Sequence, residues 1–456
     1  MSLSIVILAA GQGTRMNSAR PKVLQPLAGR PLLAHVIDTA VTVSAEAPLV
    51  VYGHGGEAVR EAFADAPVDW VEQAEQLGTG HAVAQALPRI ADHDVVLVLY
   101  GDVPLITADT LQELVDAAGD DGLGVLTAVL PDPDGYGRIV RDDAGNVQRI
   151  VEQKDATEQQ LLIAEVNTGF VACSAALLRA WVAKLSSDNA QGEYYLTDVI
   201  AMAVADGVTV NTVEAWSAEE VLGINDRRQL AEVESALRWR NAEALMDAGV
   251  TLADPTRVDV RGTLTCGRDV IIDVNVVFEG EVKLDDNVSI GPNCFIRDSQ
   301  IEQDCQVLPN TLIDNAHIGP RSAIGPFARV RPETFVGSEV KIGNFVEVKK
   351  SAIGKGSKVS HLSYIGDTTI GKSVNIGAGT ITCNYDGANK HRTKIEDDVF
   401  VGSGTELVAP VHIGEGGTIG AGSTISKDTK PNTLTVARAR QKSIEGWQKP
   451  VKKPKK

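Results

Sequence analysis

Several groups of residues in this chain have the types and spacing of reacting or ligand-holding chemistry. The first is Leu8-Ala9-Ala10-Gly11-Gln12-Gly13-Thr14-Arg15-Met16, with Pro21-Lys22 just after. A glycine-rich turn after an apolar run exposes backbone N–H groups to an anion, and Arg15 and Lys22 add positive charge, so the segment reads as a phosphate cradle. A dinucleotide fingerprint would require a further glycine where Met16 stands, which weakens that reading. The second group is Leu97-Val98-Leu99-Tyr100-Gly101-Asp102, an apolar run ending on a carboxylate. Ligands of open parallel sheets collect at the carboxyl ends of strands, where Asp102 would hold Mg²⁺. Position alone equally suits an aspartate opening the turn before Pro104. The third is His361, within Val359-Ser360-His361-Leu362-Ser363-Tyr364, whose imidazole has the basicity of a general base. Arg331, Lys349 and Lys350 precede it as candidate anion binders, although a histidine taken alone is more often an ordinary surface side chain.

The elements that must position these groups fall into two regimes. From Ile5 to about Val213, apolar runs (Ile5–Ala9, Leu49–Tyr52, Val68–Val71, Val95–Tyr100) alternate with helical patterns (Leu32–Val41, Glu57–Ala64, Gly80–Ala86, Thr110–Ala118). Such alternation predicts a mostly parallel sheet covered on both faces. Ile139–Arg141 and Val147–Val151, flanking Asp142-Asp143-Ala144-Gly145-Asn146, add a hairpin. A charged helical pattern follows from Asp226 to Ala248, stopped by Gly249, and reads as a connector. Beyond it, apolar residues recur every six positions: Val270, Val276, Val282, Val288 and Cys294, and later Ile395, Val401, Leu407, Ile413, Ile419 and Ile425. That period fits neither a helix nor a simple strand alternation and marks a hexapeptide parallel β-helix, usually left-handed, with the small residue after each apolar one turning a corner. Thr382-Cys383-Asn384-Tyr385-Asp386-Gly387-Ala388-Asn389-Lys390 interrupts the repeat, and an insertion of this kind is more often functional than accidental. Gly366-Asp367-Thr368-Thr369-Ile370-Gly371-Lys372-Ser373 matches a nucleotide-binding P-loop letter for letter, but it lies inside the repeat, where no helix is expected to follow it.

Composition narrows the function classes. The 456 residues have room for two or three domains, and 43% hydrophobic content excludes wholesale disorder. A net charge of −17 argues against nucleic acid and anionic membranes as partners, and no apolar run approaches the ~20 residues of a membrane span. Ile5–Ala10 is too short for an export signal and has no Lys or Arg before it, so it reads as a buried strand. The five cysteines, an odd number without a CxxC pair, predict free thiols in a reducing cytoplasm. Lys449, Lys452, Lys453, Lys455 and Lys456 read as a solvated basic tail.

Together these segments resemble the bacterial bifunctional N-acetylglucosamine-1-phosphate uridyltransferase / glucosamine-1-phosphate acetyltransferases over nearly the whole chain. Gln76-Leu77-Gly78-Thr79-Gly80-His81-Ala82, Gly192-Glu193-Tyr194-Tyr195, Gly343-Asn344-Phe345-Val346-Glu347 and Gly379–Gly387 carry the resemblance with the motifs above, and Gln12, where lysine is frequent, departs from it. The resemblance implies an α/β chain: a Rossmann-like, mixed, mostly parallel sheet of nucleotidyltransferase type over residues 1–227, a linker helix over 228–248, and a left-handed β-helix over 249–456. It implies UTP, N-acetylglucosamine 1-phosphate and Mg²⁺ in the first domain, with the metal on Asp102 and Asn225. Leu8, Ala9, Ala10, Gly11, Arg15 and Lys22 would serve the nucleotide phosphates; Gln73, Gly78, Thr79, Tyr100 and Gly101 would surround the nucleotide; and Gly137, Glu152 and Asn167 would contact the sugar. In the second domain it implies acetyl transfer from acetyl-CoA to glucosamine 1-phosphate, with His361 as base. Arg331 and Lys349 would hold the phosphate, and Tyr364, Asn375 and Lys390 the ring. Asn384 would orient His361 and, with main-chain groups near Ala378, stabilise the oxyanion. Tyr385, Ser403, Ala421 and Arg438 would meet the acyl-CoA. A homotrimer sharing the CoA site between subunits is also implied. The competing readings are a nucleotidyltransferase for another sugar or base, which would not transfer acetyl groups, and a nucleotide-sensing scaffold, which would bind without turnover.

Overall fold

The computed structural model describes residues 2–11 and 13–452. Gln12 and the tail lysines Lys453, Lys455 and Lys456 lie outside the described residues. The chain divides into two compact units, Met1–Leu237 and Arg238–Lys456, so the division falls inside the helix Arg227–Asp247 rather than at its ends. Asp226 caps that helix by accepting the N–H groups of Arg228 (2.8 Å) and Gln229 (3.0 Å). Its Val233 is buried with Met16, Leu27, Leu32, Leu105 and Ile224 of the first unit. Its Leu245 packs on the core of the second.

In the first unit, a mixed sheet runs in the order Val210–Glu214, Leu123–Val129, Glu165–Ser174, Val95–Tyr100, Leu3–Leu8, Leu49–Tyr52, Asp69–Glu72. Pairing is parallel throughout, except that Glu165–Ser174 is antiparallel to both its neighbours and also receives the hairpin Gly137–Arg141/Val147–Val151. The central strands are apolar on both sides: Ile5, Ile7, Leu97 and Leu99 pack one face, and Val6, Leu8, Val96 and Val98 the other. With both faces buried, no alternation is needed, which is why these strands read as continuous runs. The four expected helices are present with ends moved by a residue or two, as in Thr79–Ala86 and Ala108–Ala118. Leu8 lies opposite Tyr100 on adjacent parallel strands, so the Gly11 turn and Asp102 emerge side by side.

The second unit is a parallel β-helix whose side-chain bonds join residues 18 apart, as Asn275 to Asn293, or 17 apart, as Asn287 to Asp304. One wall is a ladder of 11 strands from Thr251–Leu252 to Leu434–Thr435. The residues at steps of six stack into one buried column, from Val270 and Val276 to Ile419 and Ile425. The corner mechanism differs from expectation. Left-handed backbone at the turns belongs to residues such as Asn275, Asn293, Asp304, Phe327 and Phe345. The glycines after the apolar residues mark close approach of coils instead: a Cβ on Gly343 would fall 1.9 Å from the Ser360 carbonyl oxygen. The P-loop look-alike is built from the strands Tyr364–Gly366 and Thr368–Ile370 with another strand, Asn375–Ile376, after it, so it cannot present a helix N-terminus to phosphate. The insertion folds on itself. Asp386 accepts the N–H groups of Ala388 (2.8 Å) and Asn389 (2.6 Å) and faces His391 Nε2 at 2.6 Å, while Tyr385 and Lys390 form an antiparallel bridge. Among the described residues, no helix is long and apolar enough to cross a membrane.

Candidate active sites

A cavity of about 610 Å³ opens at the carboxyl ends of the central strands, lined by Leu8, Ala9, Ala10, Gly11, Arg15, Lys22, Gln73, Gly78, Thr79, Tyr100 and Asp102 among the expected residues. Gly13 has a left-handed φ of 64°, and a Cβ there would meet the Lys22 Cβ at 2.6 Å, so glycine lets the lysine pass against the turn. Lys22 Nζ donates to Asp102 Oδ2 and, at 3.2 Å, to Asn225 Oδ1. The ammonium expected on the triphosphate thus spans the two residues expected on the metal. A carboxylate and an amide oxygen converging on one cation are hard donors that suit Mg²⁺, which takes its remaining ligands from water and phosphate. Gln73 is buried and donates to Gly78 O (3.1 Å) and His81 Nδ1 (3.1 Å), which leaves its carbonyl as the group to read a ligand. Thr79 Oγ1 accepts the Leu196 N–H at 3.1 Å.

Gly101, Gly137, Glu152, Asn167 and Asn225 do not line this cavity. Three of them are nonetheless gathered: Gly137 pairs with Asn167, and a Cβ on Gly137 would lie 3.4 Å from Glu152 Oε1. Burial raises the Glu152 carboxyl above its ordinary range, and the Asp155 and Asp198 charges push the same way against a hydrogen bond from Thr197 (3.1 Å). Burial likewise pushes the Tyr100 phenol far up, reinforced by Glu152 and Asp102, so it stays a neutral donor. Gln76, Gln191 and Glu193 also line the cavity and were not anticipated. Their segment is fixed by long-range contacts: Gly80 N–H donates to Tyr194 O at 2.8 Å, and a Cβ on Gly78 would fall 2.7 Å from the same oxygen.

In the second unit, His361 ends the strand Lys358–His361 beside the neighbouring strand Lys341–Asn344. Its Nδ1 lies 2.9 Å from Asn344 Oδ1. Asn384, expected to orient His361, is buried and spends its amide on Asp367 Oδ2 and Tyr364 OH, so the partner of the imidazole is Asn344. The expected cations do assemble. Lys390 sits against Lys349 and, with burial and Arg331, lowers the Lys349 ammonium below its ordinary range, with Asp367 opposing. Arg331 also donates to Glu347 Oε1 at 2.7 Å, an unanticipated partner one coil away. Asn375 is half-buried on the ladder strand following that of His361. Ala378, Ser403, Ala421 and Arg438 rise in one column beyond His361. Gly379 N–H donates to His361 O (3.3 Å), Gly404 N–H to Ala378 O (2.8 Å) and Gly422 N–H to Ser403 O (2.8 Å), and Arg438 Nη1 donates to Ala421 O. Tyr385 is exposed on the insertion.

The chain is similar to the family models described as MobA-like NTP transferase domain over residues 5–198, GMPPB C-terminal domain over 312–401 and bacterial transferase hexapeptide (six repeats) over 392–427. It is 58% identical over 450 residues to the bifunctional protein GlmU of Azoarcus sp. (strain BH72), covering 99% of this chain and 100% of that protein. The chain belongs to the GlmU family. It is also 57% identical to the GlmU protein of Nitrosospira multiformis, over 99% of each chain. Among solved structures, a nucleotidyl transferase from Methanothermobacter thermautotroptrophicus is similar over 52% of this chain and 97% of that one, at 21% identity and a TM-score of 0.37, too slight a likeness to add to the assignment. Membership in the GlmU family makes the chain a bifunctional acetyltransferase and uridyltransferase, an α/β nucleotidyltransferase domain followed by a left-handed β-helix of hexapeptide repeats. Asn344 and Glu347, which touch His361 and Arg331, are not among the residues expected at this site. The signal was available: Asn344 stands 17 residues, one coil, before His361.

Proposed function

We propose that uridylyl transfer is carried out in the first unit's cavity and acetyl transfer at the His361 column, so that glucosamine 1-phosphate is acetylated and then joined to UTP as UDP-N-acetylglucosamine. The observation that carries this reading is that each compact unit holds its own cluster of convergent polar groups. In the first, an N-acetylglucosamine 1-phosphate oxygen attacks the UTP α-phosphorus and the bond to the β-phosphate oxygen breaks, releasing pyrophosphate. Catalysis of such a step is mostly positioning and charge neutralisation. When bound at Asp102 Oδ2 and Asn225 Oδ1, Mg²⁺ would supply much of that neutralisation. Lys22, now spanning those oxygens, and Arg15 then face the phosphates, and the Gln73 carbonyl accepts from the uracil ring, leaving a wrong base with unpaired buried groups. Glu152, Gly137 and Asn167 flank the sugar.

In the second, His361 takes a proton from the glucosamine ammonium, the freed amine attacks the acetyl carbonyl, and the C–S bond breaks as the second nitrogen-bound proton passes to the departing thiolate of CoA. The Arg331, Lys349 and Lys390 cations support phosphate binding, with Tyr364 and Asn375 beside the ring. The column through Ala378, Ser403 and Ala421 climbs three rungs from His361, about 14 Å at ~4.8 Å per rung, a length that suits an extended pantetheine arm ending near Arg438. Asn384, its amide engaged by Asp367, positions Tyr364 rather than His361. Tyr385, exposed on the insertion, suits contact with acyl-CoA on an adjoining subunit.

A homotrimer fits the exposed aromatic rings of the β-helix, Phe327 stacked on Phe345 at 5.3 Å and Phe335 on His317 at 4.9 Å, since solvent-facing stacks of this kind mark interfaces. Cys173, Cys266, Cys294, Cys305 and Cys383 are all unpaired, which fits a reducing cytoplasm. A mass-spectrometric assay of the whole chain, omitting each substrate in turn, tests the reading. Asp102→Ala is expected to abolish uridylyl transfer and spare acetyl transfer, and His361→Ala to do the reverse. Loss of both activities in either folded variant would overturn the separate-site assignment.

A further inference from the structure

An imidazole can act as a base only through the nitrogen that carries no proton, and which one that is depends on the hydrogen bond made by the other. In water the tautomer protonated on Nε2 predominates, so an unassisted histidine mostly offers Nδ1. In this protein His361 Nδ1 faces Asn344 Oδ1 at 2.9 Å. An amide oxygen only accepts, so this contact places the ring proton on Nδ1 and frees the Nε2 lone pair. The backbone enforces the pairing. Asn344 and His361 are register partners on adjacent parallel strands, and the Asn344 carbonyl accepts the Leu362 N–H at 3.0 Å. Immediately before the pair the coils touch, since a Cβ on Gly343 would lie 1.9 Å from Ser360 O. Asn344 therefore reaches His361 directly beside a close backbone approach of the two coils.

Taking His361 as the acetyl-transfer base, the reading proposed above, we propose that Asn344 is the positioning residue that fixes its tautomer and makes Nε2 the atom that accepts the proton of the substrate ammonium. Asn344 touches no reacting atom; it acts through the ring. Asp at this position keeps the acceptor, whereas Leu keeps the bulk and removes it.

The test uses the full chain labelled with ¹⁵N-histidine, sedimented and measured by solid-state NMR, with His361→Gln identifying the His361 signals among the eight histidines. The wild type is expected to show a protonated Nδ1 and a bare Nε2 at His361. In Asn344→Leu the proton should move to Nε2, and kcat for acetyl transfer should fall about 10- to 100-fold with KM for both substrates within about two-fold and uridylyl transfer unchanged. Asn344→Asp should keep the wild-type tautomer and acetyl transfer within a few-fold. A wild-type His361 protonated on Nε2 would overturn the proposal, as would an Asn344→Leu protein with undiminished kcat. If the Leu variant fails to fold, the wild-type and Asp spectra decide. Should the tautomer be as stated while His361→Ala retains acetyl transfer, the reading of His361 as base fails and the Asn344 contact stands.

Discussion

Lys349 holds its proton less firmly than an ordinary lysine because Lys390 crowds it and Arg331 adds further positive charge, with Asp367 only partly compensating. A phosphate dianion favours the charged ammonium, so binding glucosamine 1-phosphate should take up protons wherever free Lys349 is partly neutral. Affinity should then begin to fall with rising pH sooner than it would for an unperturbed lysine. Titration calorimetry in two buffers of different ionisation enthalpy would read that uptake. Lys349→Gln should remove it and weaken binding by roughly 10- to 100-fold, the value of a charge-assisted hydrogen bond. At this scale the sequence offered the right residue types but not always the right partners. Arg331 and Lys349 were readable from charge and position and Lys390 only from the resemblance, which also implies Asn384 as the partner of His361, whereas Asn344 makes the bond. The resemblance points to Asn384, but only the coil register shows which asparagine reaches the ring.

The elements show why a period is easier to read than a pairing. Six-residue spacing follows from a coil with three flat sides, and every apolar residue at that spacing from Val270 to Cys294 is buried. The same geometry gives the glycines a purpose the period did not reveal. Gly343→Ala should cost about 1–3 kcal/mol through overpacking against Ser360 O. Gly422→Ala, in open space at φ 71°, should cost only about 1–2 kcal/mol from backbone conformation alone. Thermal unfolding checks the two costs and an acetyl-transfer assay separates the two mechanisms, because the first change should also lower acetyl transfer by shifting Asn344 and the second should leave that contact intact. In the first unit, the apolar runs identified the central strands, but Glu165–Ser174 went unread. It is buried on both faces, carries polar Asn167 and Thr168, and so has neither alternation nor a continuous apolar run.

For the whole molecule, the proposed trimer bears on one activity and not the other. Phe327 and Phe345 are half exposed yet stacked, which gives an isolated chain an apolar strip with nothing to cover it. Phe345→Glu should convert a species of three times the chain mass to the single-chain mass in light scattering. Acetyl transfer should fall with it while uridylyl transfer persists, since the first cavity is lined entirely by residues of the first unit. A wild-type chain that scatters as a monomer with full acetyl transfer would remove the shared-site proposal.

By itself the sequence determined the parts that depend on local order: the two regimes of periodicity, the glycine turn before Lys22, the carboxylate ending a central strand, and the falsity of the P-loop match. The tertiary structure decided everything that depends on which distant residues become neighbours. It put Lys22 between Asp102 and Asn225, closed the cavity with Gln191 and Glu193, and gave His361 to Asn344. The reason is physical: periodicity records which side of an element faces a core, whereas a partner across a sheet or a coil is set by register, and register is fixed only when the whole chain packs.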